Sequence, residues 1–331
     1  MKLLPFVLGL VGSGLLLRAD PPPGYYAAAE GKRGLALRQA LHGIVRNHRV
    51  IPYASGAQLD TSDALRVLDQ DPANSGNVVG IYSRLSRSKA SFGLAAGWNR
   101  EHLWCNGYGI ESREPAYSDL HNLRAEDMTV NSDRGNKYFD ESNPSDPEYA
   151  NPAGAEALLS STDSDSWEPP EFVKGDIARA MFYMAVRYMG DAAGEPALTL
   201  TDAIGQITAS GSSMGRHTVL VHWHLQDPVD AAEAGRNDAI YRDYQRNRNP
   251  FVDRPEWVLE AFMPQLTLSV SGTSATLEWA ADASPIVVLE ATRTAISNWS
   301  TVTNVPTQAG AFWKVTLPLE PEERFFRLRL P

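Results

Sequence analysis

The sequence predicts an α+β chain, a mainly helical domain followed by a small all-β module. Three observations predict it. Apolar residues recur at helical spacing through 25–49, 171–191 and 217–262. Short β-rich runs interrupt them at 77–83 and 95–104. After Met263 and Pro264 the character changes, and β-branched residues alternate with polar ones to the end of the chain. A length of 331 residues with 43% hydrophobic content gives room for two cores.

The N-terminus reads as an export signal over 1–19. Lys2 is a short basic start, and 3–17 is apolar but too short to span a bilayer comfortably. Cleavage near Ala19 would leave Pro21, Pro22 and Pro23 as an extended mature start; a retained anchor is the alternative. No later segment is apolar for long enough to be a membrane helix, so a secreted or periplasmic bacterial protein is expected. The expected division is 1–19 signal, 20–263 catalytic domain and 264–331 β-module.

Leu35, Leu37, Leu41, Ile44 and Val45 keep an apolar stripe in the first helix. A short helix is expected over 62–70, with Ser62 as N-cap. The run 77–83 reads as a buried strand, and 95–104 as a strand leading into a loop. Residues 117–140 begin as a strand and turn helical. Residues 141–170 are rich in Ser, Pro, Asp and Glu without apolar periodicity, and read as a surface excursion. In 171–191, Ile177, Met181, Met184, Ala185 and Tyr188 line one helical face. Residues 217–262 read as one or two helices, a Pro-bounded loop and a terminal helix. The runs after 264 read as a sandwich, with Trp279, Trp299 and Trp313 either core or ligand platform.

Net charge is −10 and the only cysteine is Cys105. No intramolecular disulfide is possible, and Cys₄ or Cys₂His₂ zinc sites are excluded. The acidic total argues against a phosphate-binding protein. Composition answers part of this: 24 of the 30 basic residues are arginine, whose planar fork suits bidentate phosphate contacts.

The densest chemistry lies in 98–139. The run W-N-R-E-H sets Arg100, Glu101 and His102 in a row, and V-N-S-D-R-G-N supplies Asn131, Arg134 and Asn136. Phosphodiester hydrolysis needs a base near neutral pH, which His provides. It needs a hard cation with oxygen ligands, such as a carboxylate and an amide. It also needs a guanidinium near developing charge. Neighbours in a strand point to opposite faces. Glu101 and His102 therefore share a site only if the backbone bends there, or if they reach different sides of the substrate.

The runs WNREHLW, SDLHNL and VNSDRGNKYF resemble the motifs of the bacterial endonuclease I family, nonspecific secreted or periplasmic nucleases of the ββα-metal (His-Me finger) class. Further stretches extend the resemblance over about 25–262. It implies Mg²⁺, with Mn²⁺ or Ca²⁺ as alternatives, on Glu101 and Asn131, and His102 as general base. Arg113, between the motifs, is the candidate for transition-state stabilisation. The implied substrate is DNA, with RNA also open, contacted through the phosphate backbone. Where family members often carry Pro, this chain carries Cys105, a thiol that is either reactive or a tolerated small residue.

Several residues carry a second reading. His121 and Asn122 either support the metal shell or satisfy buried backbone, and the structural role is favoured. Arg100 sits within the same motif as a weaker candidate for substrate contact. Arg134 and Asn136 either contact phosphate or pin the helix. Asn131 competes with Ser132 and Asp133 as a helix N-cap. His217, His222 and His224 suggest a metal cluster, but packing is favoured. Arg242, Arg246, Arg248 and Arg254 form either a nucleic-acid stripe or a solvated face paired with acids. Two other functions compete: a phosphodiesterase for a smaller substrate, and an inactive nuclease-fold binding protein with an unknown partner for the β-module.

Overall fold

In the computed structural model, which describes residues 2–3, 20–112, 115–209, 211–281, 285–294 and 297–331, helix formation begins later than the apolar stripe suggests. Residues 24–32 close successive tight turns instead, with Tyr25 N donating to Pro22 O and Ala29 N to Tyr26 O. Helix α1 then spans Gly34–Val45 and buries Leu37, Leu41 and Val45, one turn apart. Helix α2 (Thr61–Leu68) is capped by Asp60 rather than Ser62. Asp60 accepts from the backbone of Ser62 and Asp63, while the Asp63 carboxylate accepts from Asp60 N at 3.2 Å. Ser62 sits two residues inside and donates its hydroxyl to Asp60. The predicted signal falls on residues of which 1 and 4–19 lie outside the described set.

Strand β1 (Asn74–Val79) pairs antiparallel with Gln70–Asp71 and with Ser86–Ser88. It ends before the expected 83, because the backbone N–H groups of Tyr82 and Ser83 turn onto the Glu126 carboxylate at 2.5 and 3.3 Å. Strands β2 (Trp98–His102) and β3 (Leu123–Asp127) form an antiparallel pair in which Glu101 faces Arg124 and His102 faces Leu123. Helix α3 (Met128–Arg134) follows β3 directly. Asp127 caps it through Thr129 N at 2.9 Å, so Asn131 lies inside the helix and is not its cap. Gly135, at φ 55°, ends it in a conformation that suits glycine.

Residues 141–170 hold more structure than their composition suggests. Ser166–Glu168 forms a strand between Tyr138–Phe139 and Ser161–Thr162, and Trp167 on it is fully buried. Helix α4 (Lys174–Arg187) is buried at every position except Asp176, rather than on one face alone. Helix α5 (His217–Gln226) packs along it. Helix α6 (Ala231–Ala239) carries Arg236, whose guanidinium donates to Asp69 and to the Leu120 and Leu123 carbonyls at 2.8–2.9 Å, fastening β3 from behind. Among the described residues no helix is long and apolar enough to cross a membrane.

The chain divides into two compact units, Leu17–Ala261 and, among the described residues, 2–3 with Phe262–Pro331. Helices and strands both run through the first, and the chain as a whole is α+β. The second unit contains β4 (Thr267–Ser271), β5 (Ser274–Ala280), β6 (Val288–Thr292), β7 (Phe312–Pro318) and β8 (Phe325–Arg329). One four-stranded sheet contains β4, β5 and β7, and the other contains β6 and β8. Leu277, Trp279, Val315 and Leu317 of the first sheet share one core with Leu289, Phe326 and Leu328 of the second, a sandwich arrangement. Of the three tryptophans, Trp279 is core and Trp313 packs against it. Trp299 is half-buried under the Arg327 guanidinium at 4.2 Å.

Candidate active site

The alternation of β2 sorts its side chains onto two faces. Asn99 and Glu101 face α3. Asn99 Oδ1 accepts from Asn131 Nδ2 at 2.8 Å, and Glu101 Oε1 accepts from Arg134 Nη1 at 2.9 Å. Trp98, Arg100 and His102 take the other face. Arg100 lies over Tyr53 at 4.1 Å and over Phe92 at 4.8 Å, and the His102 ring stacks on Tyr53 at 5.6 Å. No bend at Glu101 brings the two neighbours to one side, because the register with β3 continues through His102. They serve different sides of the strand end.

On the α3 face, Glu101 is buried and Oε1 takes two side-chain donors, Arg134 and the Tyr82 hydroxyl at 2.7 Å. The Tyr82 backbone is in turn held by Glu126. Burial, the largest influence, raises the Glu101 carboxyl above its ordinary pKa against the opposing pull of Arg134 and Tyr82. Arg134 is itself buried. Two further donors, on Nη1 and Nη2, reach the His102 and Leu103 carbonyls at 2.9 and 2.8 Å, and its guanidinium lies 4.7 Å from the Phe139 ring centre. This arginine pins α3 to the end of β2 and is too enclosed to meet a phosphate.

Asn131 is oriented by both of its amide protons, one to Asn99 and one to the Arg100 carbonyl at 3.1 Å. Among the described residues nothing donates to its Oδ1. An amide oxygen without a donor and a carboxylate with Oε2 clear of both side-chain donors are two hard oxygen donors, the kind Mg²⁺ or Ca²⁺ accepts with water filling the rest. The donor set therefore fits such an ion. Among the described residues no group of three or more His, Cys, Asp or Glu side chains is placed to hold a metal.

On the other face His102 is buried, and its Nε2 lies 2.9 Å from the Tyr117 carbonyl. A carbonyl only accepts, so Nε2 carries the proton and Nδ1 of the neutral ring carries the lone pair. Burial is the main cause that lowers the His102 pKa to about 4, with Arg100 and Arg134 adding to it and the Tyr117 carbonyl opposing. The ring is a neutral base throughout the physiological range.

Residues 33–256 match the model of the endonuclease I family. The chain belongs to that family. It is a nuclease, an enzyme that hydrolyses phosphodiester bonds. An extracellular ribonuclease of Bacillus amyloliquefaciens is 45% identical over 238 residues, covering 71% of this chain and 77% of the relative. An extracellular ribonuclease of Bacillus subtilis is 44% identical over 259 residues, 75% of this chain and 84% of the relative. An extracellular deoxyribonuclease of Aeromonas hydrophila is 27% identical over 136 residues, 41% and 49% of the two chains. The endonuclease I match lies wholly within the unit Leu17–Ala261.

The remaining sequence candidates fall into place around this centre. Arg113 lies outside the described residues. His121 is buried with its ring against Tyr183 at 4.5 Å and its Nε2 3.4 Å from the Asn247 carbonyl. Asn122 bridges Trp104, accepting from its N at 2.7 Å and donating to its carbonyl at 3.2 Å. Asn136 is exposed and its carbonyl accepts from the Tyr108 hydroxyl. His217, His222 and His224 all lie on α5, where side chains two residues apart diverge. Arg248 is buried against Asp253 and Asp238, Arg242 pairs with Asp238 and Asp243, and Arg254 pairs with Glu30 and Glu256. Three of the four stripe arginines are thus acid-paired, and Arg246 is exposed. Sequence reasoning missed Tyr82, Asn99, Glu126 and Tyr117. Only Asn99, inside the W-N-R-E-H run, carried a local signal.

Proposed function

We propose that the protein is a secreted endonuclease of low sequence specificity that cuts RNA, and DNA as well. His102 is the general base, and Glu101 and Asn131 hold one divalent cation, Mg²⁺ with Mn²⁺ or Ca²⁺ as substitutes. The contact that carries this reading is Tyr117 O with His102 Nε2, which leaves Nδ1 as a basic nitrogen in a known nuclease family. On this reading β2, β3 and α3 form a ββα-metal motif.

When bound, the cation polarises the phosphate and stabilises the leaving oxygen. The chain's own residues supply the rest. His102 Nδ1 takes the proton from the attacking water. The opposed directions of His102 and Glu101 suit in-line displacement, where nucleophile and leaving group lie on opposite sides of phosphorus. Arg134 and Tyr82 fix the carboxylate, and Asn99 fixes the Asn131 amide so that its oxygen faces away from the strand backbone.

Two observations support RNA as a substrate and secretion as the location. Relatives at 45% and 44% identity are named extracellular ribonucleases, while the named deoxyribonuclease is more distant. The 1–19 stretch has the composition of an export signal. Degradation of labelled RNA and of plasmid DNA, each with Mg²⁺ and with EDTA, tests the reading. Both substrates should be cut only with metal. Inertness toward both across Mg²⁺, Mn²⁺ and Ca²⁺ would end it.

A further inference from the structure

Beside His102 lies a group of rings that the proposed chemistry does not use. Tyr53 and Tyr117 meet at 4.2 Å between ring centres, and His102 sits 5.6 Å from the first and 4.8 Å from the second. The Arg100 guanidinium covers Tyr53 at 4.1 Å. Both tyrosines are half-buried; Tyr53 is held between Arg100 on one face and Tyr117 on the other, so the outer face of Tyr117 is the one left for a ligand. Tyr53 rests on the core cluster of Leu65, Trp98 and Leu123, which fixes its plane. A rigid, partly exposed aromatic surface backed by a guanidinium is the chemistry that stacks nucleobases, since every base has a π-face. The bases of a duplex are already stacked on each other. A single strand offers splayed bases that can use such a surface.

We propose that Tyr117, backed by Tyr53 and Arg100, forms a nucleobase-stacking subsite beside the scissile phosphate that gives the enzyme a preference for single-stranded nucleic acid. This rests on the nuclease reading for where the phosphate lies. Tyr117 is the specificity-determining residue here, and Tyr53 positions it. Tyr117 touches the base next to the cut, whereas His102 acts on the bond. The Tyr117 carbonyl keeps its separate task on His102, so replacing the Tyr117 ring leaves that hydrogen bond available.

The test is equilibrium binding of a labelled single-stranded 12-mer and of its duplex, by fluorescence anisotropy with EDTA present so that nothing is cut. Tyr117→Leu should weaken single-strand binding about tenfold, and Tyr53→Leu, which removes the ring behind it, by less; Tyr117→Phe and Tyr53→Phe should restore it. Binding of the single strand by the Leu variants as tightly as by wild type overturns the proposal. So does an equal loss on the duplex. A measurement on wild type alone guards against misfolded variants: a 12-mer of abasic units should bind about tenfold more weakly than the base-bearing strand, and equal binding overturns the proposal. Failure of the nuclease reading is seen separately, as absence of metal-dependent cleavage by wild type.

Discussion

Arg134 Nη1 lies 2.9 Å from Glu101 Oε1, and neither side chain is more than 3% exposed. The same guanidinium also ties down the two carbonyls that follow. A buried pair of this kind is costly to break from one side, because the surviving charge has no solvent to turn to. Arg134→Met should lower the unfolding free energy by about 3 kcal/mol. Arg134→Lys should lower it less, since it keeps the charge and loses the fork. Urea titration reads both. A stability change near zero for Arg134→Met would contradict the pinning role.

Asn131 is only half-buried and stands on a helix held by other contacts. Asn131→Ala should therefore fold, losing about 1 kcal/mol with its hydrogen bonds to β2. Its effect should fall on the metal, with half-maximal activity requiring about 10- to 100-fold more Mg²⁺. A variant that is slower at every Mg²⁺ level with an unchanged half-saturation point would speak against ligation.

A base with a pKa of about 4 keeps its lone pair far into acid. The acid limb of kcat/KM should therefore fall near pH 4 to 5 and not near 6.5, the value of an unperturbed histidine. Stability follows the same group. The folded pKa lies below the unfolded one, so His102's contribution is complete above about pH 6.5 and is lost as pH falls toward 4. His102→Gln should show a shallower loss of stability across that window than wild type.

Burial pushes the Cys105 thiol up to about 12, and its Sγ faces the Gly135 and Lys137 carbonyls. It is a packing residue and not a reactive one. Ellman's reagent at pH 8 should leave the native protein unmodified and titrate one thiol after unfolding. Rapid reaction of the native protein would contradict this.

Local pattern carried much of the fold. The α+β class, helix α4 and the strand through Trp98–His102 are all visible as periodicity, because their apolar contacts follow chain order. The cap of α2 was misplaced by two residues, since Asp60 and Ser62 are both good caps and only the Asp63 partnership decides between them. Trp167 was hidden in a polar run whose short strands are defined by partners elsewhere. The roles of Glu101, His102 and Asn131 came from the resemblance of their motifs to the endonuclease I family. What orients them did not: Tyr82 is 19 residues from Glu101, and Tyr117 acts through a backbone carbonyl that any residue would supply. The split of Glu101 and His102 onto opposite faces was left open by sequence and is settled by the unbroken register with Leu123.

The most direct test of the central claim is the rate of RNA cleavage by His102→Ala at saturating Mg²⁺, measured beside wild type. Loss of a general base predicts a fall of about 10²- to 10⁴-fold in kcat with native folding retained. Cleavage within a few-fold of wild type would remove His102 from the chemistry and the account with it.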